Sequence, residues 1–456
     1  MATTSKRYQL TPEQVALSEE RKAKKLKSTA LQQNNNAGRI IERCWIPTGL
    51  QSGQQGDQRV KVFTWNPTPA VGPVSSRELF PTSDCLKANQ REQMLYRELL
   101  STQADILCLQ EVDRLEKIIP ALNKAGYAHH YAAGPGKKHG CLIAFKKQLY
   151  TMISAKTILY DVEEVRSDGD DAARRGKSFE TKNIGSLVSL QSNTAGKAEG
   201  LIVATTHLFW HPRYTYERAR QAGILVRETN NFRKELDVEH WPCIIGGDFN
   251  FAPDDIAYSL LVGDSILSEQ KDVITPSYVV HMSVDPSAVP DPRPEAGEGN
   301  EESGDPDKVI TSARAATPSD GLLSLTELSN FFARIPSLRS AYDVGLARIK
   351  NLGDLQTFGS RVNLGSDRRG RYEPEYTSYT HYWKTTLDYI FVLDPIDRES
   401  NVVALLSPHR TKDLEHGLPQ TGVSSSDHVS LAAEFCWSRD KLTYKVNLSI
   451  EAETES

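Results

Sequence analysis

Apolar and polar positions change period repeatedly along the 456-residue chain. Val60 to Trp65 alternates with the two-residue period of a strand. Ala104 to Leu109, Cys141 to Phe145, Ser186 to Leu190, Leu201 to His207 and Cys243 to Gly247 are short apolar runs of the length that buried strands adopt. Gln90 to Leu100 places Met94, Leu95 and Leu99 at helical spacing, and Tyr214 to Leu236 is a long helical stretch carrying many charges. Thr385 to Leu393 and Val429 to Trp437 supply late strands. Strands and helices alternate irregularly, without a sequence repeat, as in one large layered α/β core that begins near Val60.

Two segments fall outside that pattern. Residues 1–58 read as a charged tail: Thr11-Pro-Glu-Gln followed by Ala16 to Lys27 predicts a short helix with a cap and a basic end. Asp285 to about Asp320 is rich in Pro, Gly, Ser and acid; between Asp285 and Lys308 stand eight acidic and two basic residues, a local net of −6. Such a segment buries too little apolar surface to offset its ordering entropy. Residues with candidate chemistry lie on both sides of it, so it reads as a disordered insertion within one domain at 59–438, followed by a tail at 439–456.

Composition narrows the class. No run approaches the ~20 apolar residues needed to cross a bilayer, and mean hydropathy is −0.47. The polar start, Met1 to Leu10, lacks a secretory signal, and Glu13, Glu19 and Glu20 argue against mitochondrial import. An intracellular protein of cytoplasm or nucleus is expected. Six cysteines without a Cys-x-x-Cys pair read as buried, reduced thiols. The formal charge is −5, which weighs mildly against binding nucleic acid through a bulk positive field. Removing the −6 of the insertion leaves about +1, so the body of the chain is near neutral.

The candidate chemistry sits at strand ends. In Ile244-Ile-Gly-Gly-Asp-Phe-Asn250 a strand ends in a carboxylate, Asp248, and an amide, Asn250, two apart and so on one face if the strand continues. A simple Asp/Asn turn is the plainer reading of that string alone. Asp105 to Glu111 reads as a buried strand delivering an acid, Glu111, that suits a hard divalent cation or, equally on this segment alone, serves as a helix-capping or surface acid. His207 follows the run Ala204-Thr-Thr, and Asn66 follows Thr64-Trp65. In Ser424-Ser-Ser-Asp-His428, neighbouring Asp427 and His428 point to opposite faces of an extended chain, so His428 needs another acid, and Asp388 within Thr385 to Phe391 is the candidate. Polar residues converging from strand ends over a layered sheet suit a metal-assisted active site.

Taken in order, Asn66, Leu109-Gln-Glu111, Thr206-His207, Gly247-Asp-Phe-Asn250, Leu387-Asp-Tyr-Ile390 and Ser426-Asp-His428 resemble the endonuclease/exonuclease/phosphatase superfamily, over roughly Val60 to Trp437. Gly140 to Lys146, Thr205 to Pro212 and Tyr376 to His381 resemble its deadenylase-like branch, which includes the carbon catabolite repressor nuclease, nocturnin and Angel. Arg77 to Asp84, Gln110 to Asp113 and Tyr379 to Lys384 resemble the fungal Ngl group of RNA exonucleases most. The chain departs from the family after Asn66, where Pro-Thr-Pro-Ala-Val-Gly-Pro-Val-Ser-Ser bars a regular helix start.

The resemblance implies a four-layer α/β sandwich of the DNase I type, two mixed sheets face to face with helices on both outer faces. It implies Glu111 as principal ligand of Mg²⁺, with Mn²⁺ as a substitute, and Asn66 and Asp427 near the metal. Asp248 would orient or deprotonate water, Asn250 would hold a phosphate oxygen, and His428, polarised by Asp388, would contact the phosphate together with His207. Asn183 would line the substrate path. The expected activity is 3′-to-5′ exoribonuclease action on single-stranded RNA 3′ ends, releasing nucleoside 5′-monophosphates, in ribosomal RNA trimming or poly(A) shortening. From the residues, Arg213, Arg218, Arg220, Arg368 and Arg369 are candidate phosphate grips, and Trp210, Tyr379 and Trp383 candidate stacking platforms or core aromatics. The alternatives are a small-molecule phosphatase or phosphodiesterase, and an inactive RNA-binding scaffold. A monomer without membrane association is expected.

Overall fold

The computed structural model describes residues 38–50, 58–67, 79–194, 199–288, 312–395 and 398–437. The expected N-terminal helix, the Pro-rich stretch after Pro67, most of the acidic insertion and the C-terminal tail lie outside the described residues.

Strands β1 (Trp45–Pro47), β2 (Gln58–Trp65), β3 (Ile106–Val112), β4 (Tyr127–Ala132), β5 (Gly140–Lys146), β16 (Asn401–Leu406) and β17 (Leu431–Trp437) form one sheet, in the order β1-β16-β17-β2-β3-β5-β4. Strands β6 (Tyr150–Leu159), β7 (Ile184–Ser192), β8 (Gly200–His207), β9 (Cys243–Asp248), β12 (Arg339–Ser340) and β15 (Asp388–Leu393) form a second, in the order β12-β15-β9-β8-β7-β6. Two short ribbons, β10 (Val279–His281) with β11 (Ala313–Ala315) and β13 (Ser378–Tyr379) with β14 (Lys384–Thr385), lie outside both sheets.

The sheets pack face to face because their central strands are apolar on both faces. In β3, Ile106 and Cys108 meet Val203 and Ile244 of the other sheet, while Leu107 and Leu109 turn outward onto the helices Ala88–Ser101 and Leu115–Lys124. On the far side, Leu187, Ile202 and Ile245 pack under the helices Thr215–Glu235, Ile256–Val262 and Leu325–Ala333. Helix, sheet, sheet, helix is the four-layer sandwich that the resemblance implied. Gly223 lets one of those helices close on another: a Cβ there would sit 2.4 Å from the Phe331 ring.

Several sequence expectations change. The tail does not run to residue 58. Residues 45–47 pair with β16 (Trp45 opposite Leu406), Thr48 Oγ1 donates to Val402 O at 2.7 Å, and Ile40 is buried with Cys85 and Met94. Both described ends of the expected insertion are ordered: Asp285 accepts from Arg314, which in turn holds Asp320, and Ala313–Ala315 is a strand. Thr385 to Leu393 is two strands, interrupted where Thr386 Oγ1 turns to Pro374 O at 2.8 Å. Five of the cysteines are buried, and Cys44 is exposed. Among the described residues no helix is long and apolar enough to cross a membrane.

Candidate active site

Three adjacent strands of each sheet deliver polar residues to one end of the sandwich. In the first sheet β2 runs parallel to β3 and antiparallel to β17. The ends of β2 and β3 therefore meet the start of β17, bringing together Asn66, Glu111 and the Asp427-His428 pair. In the second sheet β8 and β9 are parallel and β15 is antiparallel, with His207 opposite Asp248 and Asp388 opposite Asp248. The site is thus a seam between two sheets.

Local backbone features aim the side chains. Glu111 has φ +51° at the point where the β3–β5 register slips between Leu109 and Val112. This bulge in the left-handed region turns a residue of an otherwise buried strand into the seam. Gly246 passes so close to the first sheet that a Cβ would lie 3.1 Å from that of Thr64 and 3.3 Å from that of Cys108. Gly247 likewise lies against Thr206, whose carbonyl oxygen would be 2.5 Å from a Cβ. The glycines before Asp248 let β9 nest between its neighbours. Buried Gln110 spans the sandwich beneath the site, donating to Thr64 Oγ1 (3.2 Å) on one sheet and Thr205 Oγ1 (2.9 Å) on the other.

Asp388 and Asp248 are directly cross-strand, a pairing that repels if both are charged. His428 lies between them: its Nδ1 is 2.8 Å from Asp388 Oδ2 and its Nε2 3.6 Å from Asp248 Oδ2. Burial disfavours the charged ring, but the carboxylates of Asp388, Asp248 and Asp427 outweigh it and hold its pKa well above the ordinary value. Burial pushes Asp388 up to about 6, against the pull of His428. At neutral pH the pair is therefore imidazolium and carboxylate. Thr377 completes it: its hydroxyl donates to Asp388 Oδ2 at 2.7 Å and accepts from the amides of Leu387 and Asp388. Thr377 lies in the Tyr376 to His381 string, but its contact with Asp388 is not legible there, because it arises from the ribbon that returns beside His428.

His207 behaves oppositely. Its Nδ1 is 3.4 Å from Glu111 and its Nε2 3.6 Å from Asp248. Burial, with the nearby charges of His139, His428 and Lys137, overrides the pull of Asp248 and lowers its pKa to about 4. It is a neutral imidazole. Glu111 is held well above the usual carboxylate range by burial and then by repulsion from Asp427 and Asp248, partly relieved by His428 and Asn66.

These residues fit a hard divalent cation. Asn66 donates its Nδ2 to Asp248 Oδ2 at 3.2 Å, while its Oδ1 is buried without a hydrogen-bond partner. With the carboxylates of Glu111 and Asp427 it makes an oxygen donor set of the kind such ions prefer. Asp248, Asp388 and His428 also bring ligand atoms within 4.8 Å of one another. In that group, however, His428 Nδ1 and Asp388 Oδ2 are committed to each other and Asp388 also to Thr377, so the orphaned Asn66 oxygen marks the better position.

Asn250 is arranged differently from the strand alternation expected. The strand ends at Asp248; Asn250 has φ +55°, gives its backbone N–H to Asp248 Oδ1 (3.1 Å) and its side-chain amide to Leu208 O (2.9 Å). Asn183 is half-buried, and with its amide turned to match its neighbours it accepts from Phe209 N at 3.1 Å. Trp210 is half-buried beside Phe179, Phe209 and Tyr214.

The arginine expectations mostly change. Arg218 is buried and holds Pro212 O, Thr215 and Asp255, and Arg220 is buried against Tyr160 O, Arg175 O and Glu217. Both charges complete the packing of the long helix. Arg368 is committed to Ser265 O, to Ser259 Oγ (2.6 Å) and to Asp264. Arg369 and Arg213 remain exposed. Tyr379 is core, buried with Leu414, Leu418 and Val429, while half-buried Trp383 meets Phe80 edge-on and donates Nε1 to Ser378 at 3.0 Å. The sequence pattern gave no sign of cations nearer the site. The loop Gly134 to His139 is pressed on the Lys182 turn, where a Cβ on Gly134 would lie 1.8 Å from Lys182 O. It carries Lys137 close enough to bear on His207, with exposed Lys138 and Lys182 beside it.

Comparisons with known proteins agree with this architecture. A family model described as the Endonuclease/Exonuclease/phosphatase family matches residues 85–428. "RNA exonuclease NGL2" of Saccharomyces cerevisiae is 27% identical over 82% of this chain and 78% of its own length. "Probable RNA exonuclease C9B6.11c" of Schizosaccharomyces pombe is 31% identical over 78% of this chain and 72% of its own length. A crystal structure of ANGEL2, a 2′,3′-cyclic phosphatase, in complex with adenosine-2′,3′-vanadate superposes with a TM-score of 0.55 and 21% identity. It covers 87% of this chain and 99% of that one, a likeness of fold.

Proposed function

The chain belongs to the endonuclease/exonuclease/phosphatase family, and from that premise we propose that it is a Mg²⁺-dependent 3′-to-5′ exoribonuclease. It is a hydrolytic nuclease whose relatives are named RNA exonucleases. Its substrates in this reading are single-stranded RNA 3′ ends, in ribosomal RNA precursor trimming or poly(A) shortening, and its products nucleoside 5′-monophosphates. The observation that carries the reading is the seam: acids, amide and histidines from six strand ends, gathered in one buried cluster with an orphaned oxygen at Asn66.

Asn66, Glu111 and Asp427 would hold the divalent cation, which when bound neutralises the scissile phosphate and the leaving 3′-oxygen. The side chains divide the remaining work. Asp248 Oδ2 accepts the proton of the attacking water, and the amide of Asn66 orients that carboxylate. His428, charged through Asp388, presents its Nε2–H to a phosphate oxygen and so stabilises charge that develops in the transition state. Neutral His207 donates its single N–H to an oxygen of the same phosphate without adding a charge. Lys137, Lys138, Lys182 and Arg213 grip the phosphates that follow, and Asn183 and Trp210 border their path.

The test is product analysis on a 5′-labelled oligoribonucleotide with Mg²⁺. A ladder shortened from the 3′ end with nucleoside 5′-monophosphates is expected, and Asp248→Ala should lower the rate by about 10²- to 10⁴-fold. Internal cleavage products, or hydrolysis of a small phosphodiester without attack on RNA, would overturn the reading.

A further inference from the structure

We propose that residues 38–48 form a brace of the active site, and that Arg43 is a positioning residue for the loop that carries Asp427 and His428. This segment precedes the part of the chain matched by the family model. It nevertheless reaches into the back of the seam.

The guanidinium of Arg43 is 5% exposed. Its Nη1 donates to Ser430 O at 2.8 Å, and its Nη2 bonds both Ser430 Oγ and Glu98 Oε1, the latter at 2.5 Å. Ser430 Oγ itself donates to Glu98 Oε1 at 2.5 Å. Buried charge is tolerated only with this degree of pairing. The closed triad of Arg43, Glu98 and Ser430 thus fixes the chain two residues beyond His428. Buried Tyr342 and the half-buried His409 complete its surroundings. The other end of the same loop is held by Arg91, from the helix that supplies Glu98: its Nη1 donates to Ser425 O at 3.1 Å.

Between these two anchors the loop has little freedom. Ser426 Oγ donates to Asn66 O at 2.6 Å and accepts from His428 N, Trp65 Nε1 donates to His428 O at 2.9 Å, and Val429 N reaches Thr377 O at 2.6 Å. Loss of Arg43 leaves Glu98 a buried unpaired carboxylate and frees the Ser430 end. His428 must stay within hydrogen-bond reach of Asp388 to act, so a displacement of about 1 Å costs rate far more than binding.

The proposal rests on His428 being part of the hydrolytic site, and the test separates the two. Arg43→Ala, Arg43→Lys and Ser430→Ala are compared with Thr48→Ala, which loosens the same segment at its opposite end. Arg43→Ala should lower kcat on an oligoribonucleotide by about 10- to 100-fold with KM within about twofold. Thr48→Ala should lower Tm without lowering kcat, and Arg43→Lys should recover part of the rate. Amide exchange at His428 and Val429 should quicken about tenfold in Arg43→Ala and Ser430→Ala while β17 stays protected. Should Arg43→Ala fail to fold, Arg43→Lys and Ser430→Ala carry the same two readouts. Equal kcat for Thr48→Ala and the Arg43 variants, or unchanged exchange at His428, overturns the brace. If the wild-type chain does not attack RNA, the functional reading falls, while the exchange measurement still decides the brace.

Discussion

Replacing Glu111 with Gln should abolish hydrolysis and stabilise the metal-free protein. The penalty that Glu111 imposes can be bounded from the seam. His207 is 3.4 Å from Glu111 and 3.6 Å from Asp248 through opposite ring nitrogens. With the width of the imidazole, the two carboxylates lie within about 9 Å, and at an effective dielectric of ~20 they repel by about 2 kcal/mol if both are ionised. The alternative is for Glu111 to keep its proton, which at pH 7 costs about 3.7 kcal/mol against an unfolded value near 4.3. The folded state takes the cheaper course, so the penalty lies between about 2 and 4 kcal/mol. A carboxyl whose folded pKa is raised, as here by burial, Asp427 and Asp248, holds its proton more tightly when folded. Stability is therefore lost as pH rises above the unfolded value. Glu111→Gln should raise the melting temperature in EDTA at pH 7 by about 3–5 °C, from an unfolding entropy of about 0.8 kcal/mol/K for a domain of this size. The difference should vanish near pH 4. Mg²⁺ or Mn²⁺ should stabilise the wild type and release protons, and should do neither for the variant. Calorimetry at the two pH values, with and without metal, measures all of this. A variant that melts at or below the wild type in EDTA at pH 7, or one that still degrades RNA, would falsify the assignment of Glu111.

Further outcomes follow from groups around the cluster of acids and histidines. Glu373 is buried, with Tyr258 donating to it at 2.8 Å, and burial with Asp343 pushes its pKa up to about 8. It should cost stability progressively between pH ~4.3 and ~8, to a limit of about 5 kcal/mol, and Glu373→Gln should flatten that part of the melting profile. Neutralising Lys137, Lys138 and Lys182 should flatten the salt dependence of RNA binding by about 0.7 for each phosphate no longer neutralised, whereas Arg368→Gln should lower Tm with the slope unchanged.

The seam was largely legible in the sequence because its residues stand at the ends of apolar runs, Asn66, Glu111, His207 and Asp248 closing them and Asp388, Asp427 and His428 opening them. Asp248 after Cys243-Ile-Ile-Gly-Gly and Glu111 after Ile106-Leu-Cys-Leu-Gln are polar groups where a buried strand meets solvent, and such positions stand out. Where the side chain's use depends on a distant partner, the pattern was silent. Arg218, Arg220 and Arg368 look alike on paper to Arg213, yet the first three are spent on carbonyls and acids brought in from other elements. Tyr379 and Trp383 belong to one aromatic string, but only the first enters a core cluster. The strand Trp45–Pro47 escaped notice because three residues show no period, and its place at the edge of the sheet comes from β16, more than 350 positions later. Asn250 was assigned by strand alternation to a strand that had already ended.

The bridge that Gln110 makes between Thr64 and Thr205 gives the two sheets unequal evolutionary standing from the rest of the fold. Half of the reacting groups ride on each sheet, so the relative slide of the sheets is itself a catalytic coordinate. A substitution at Thr64, Cys108, Thr205 or Gly246 that shifts one sheet against the other by a fraction of an ångström is exposed to selection through rate, even where it leaves the fold intact. A substitution on the solvent-facing side of the outer helices, away from anchors such as Glu98, shifts neither half of the site and is felt only as altered stability. Divergence in this chain should therefore accumulate on the exposed faces of the outer helices first, and laboratory selection for heat resistance should find its gains there without disturbing turnover.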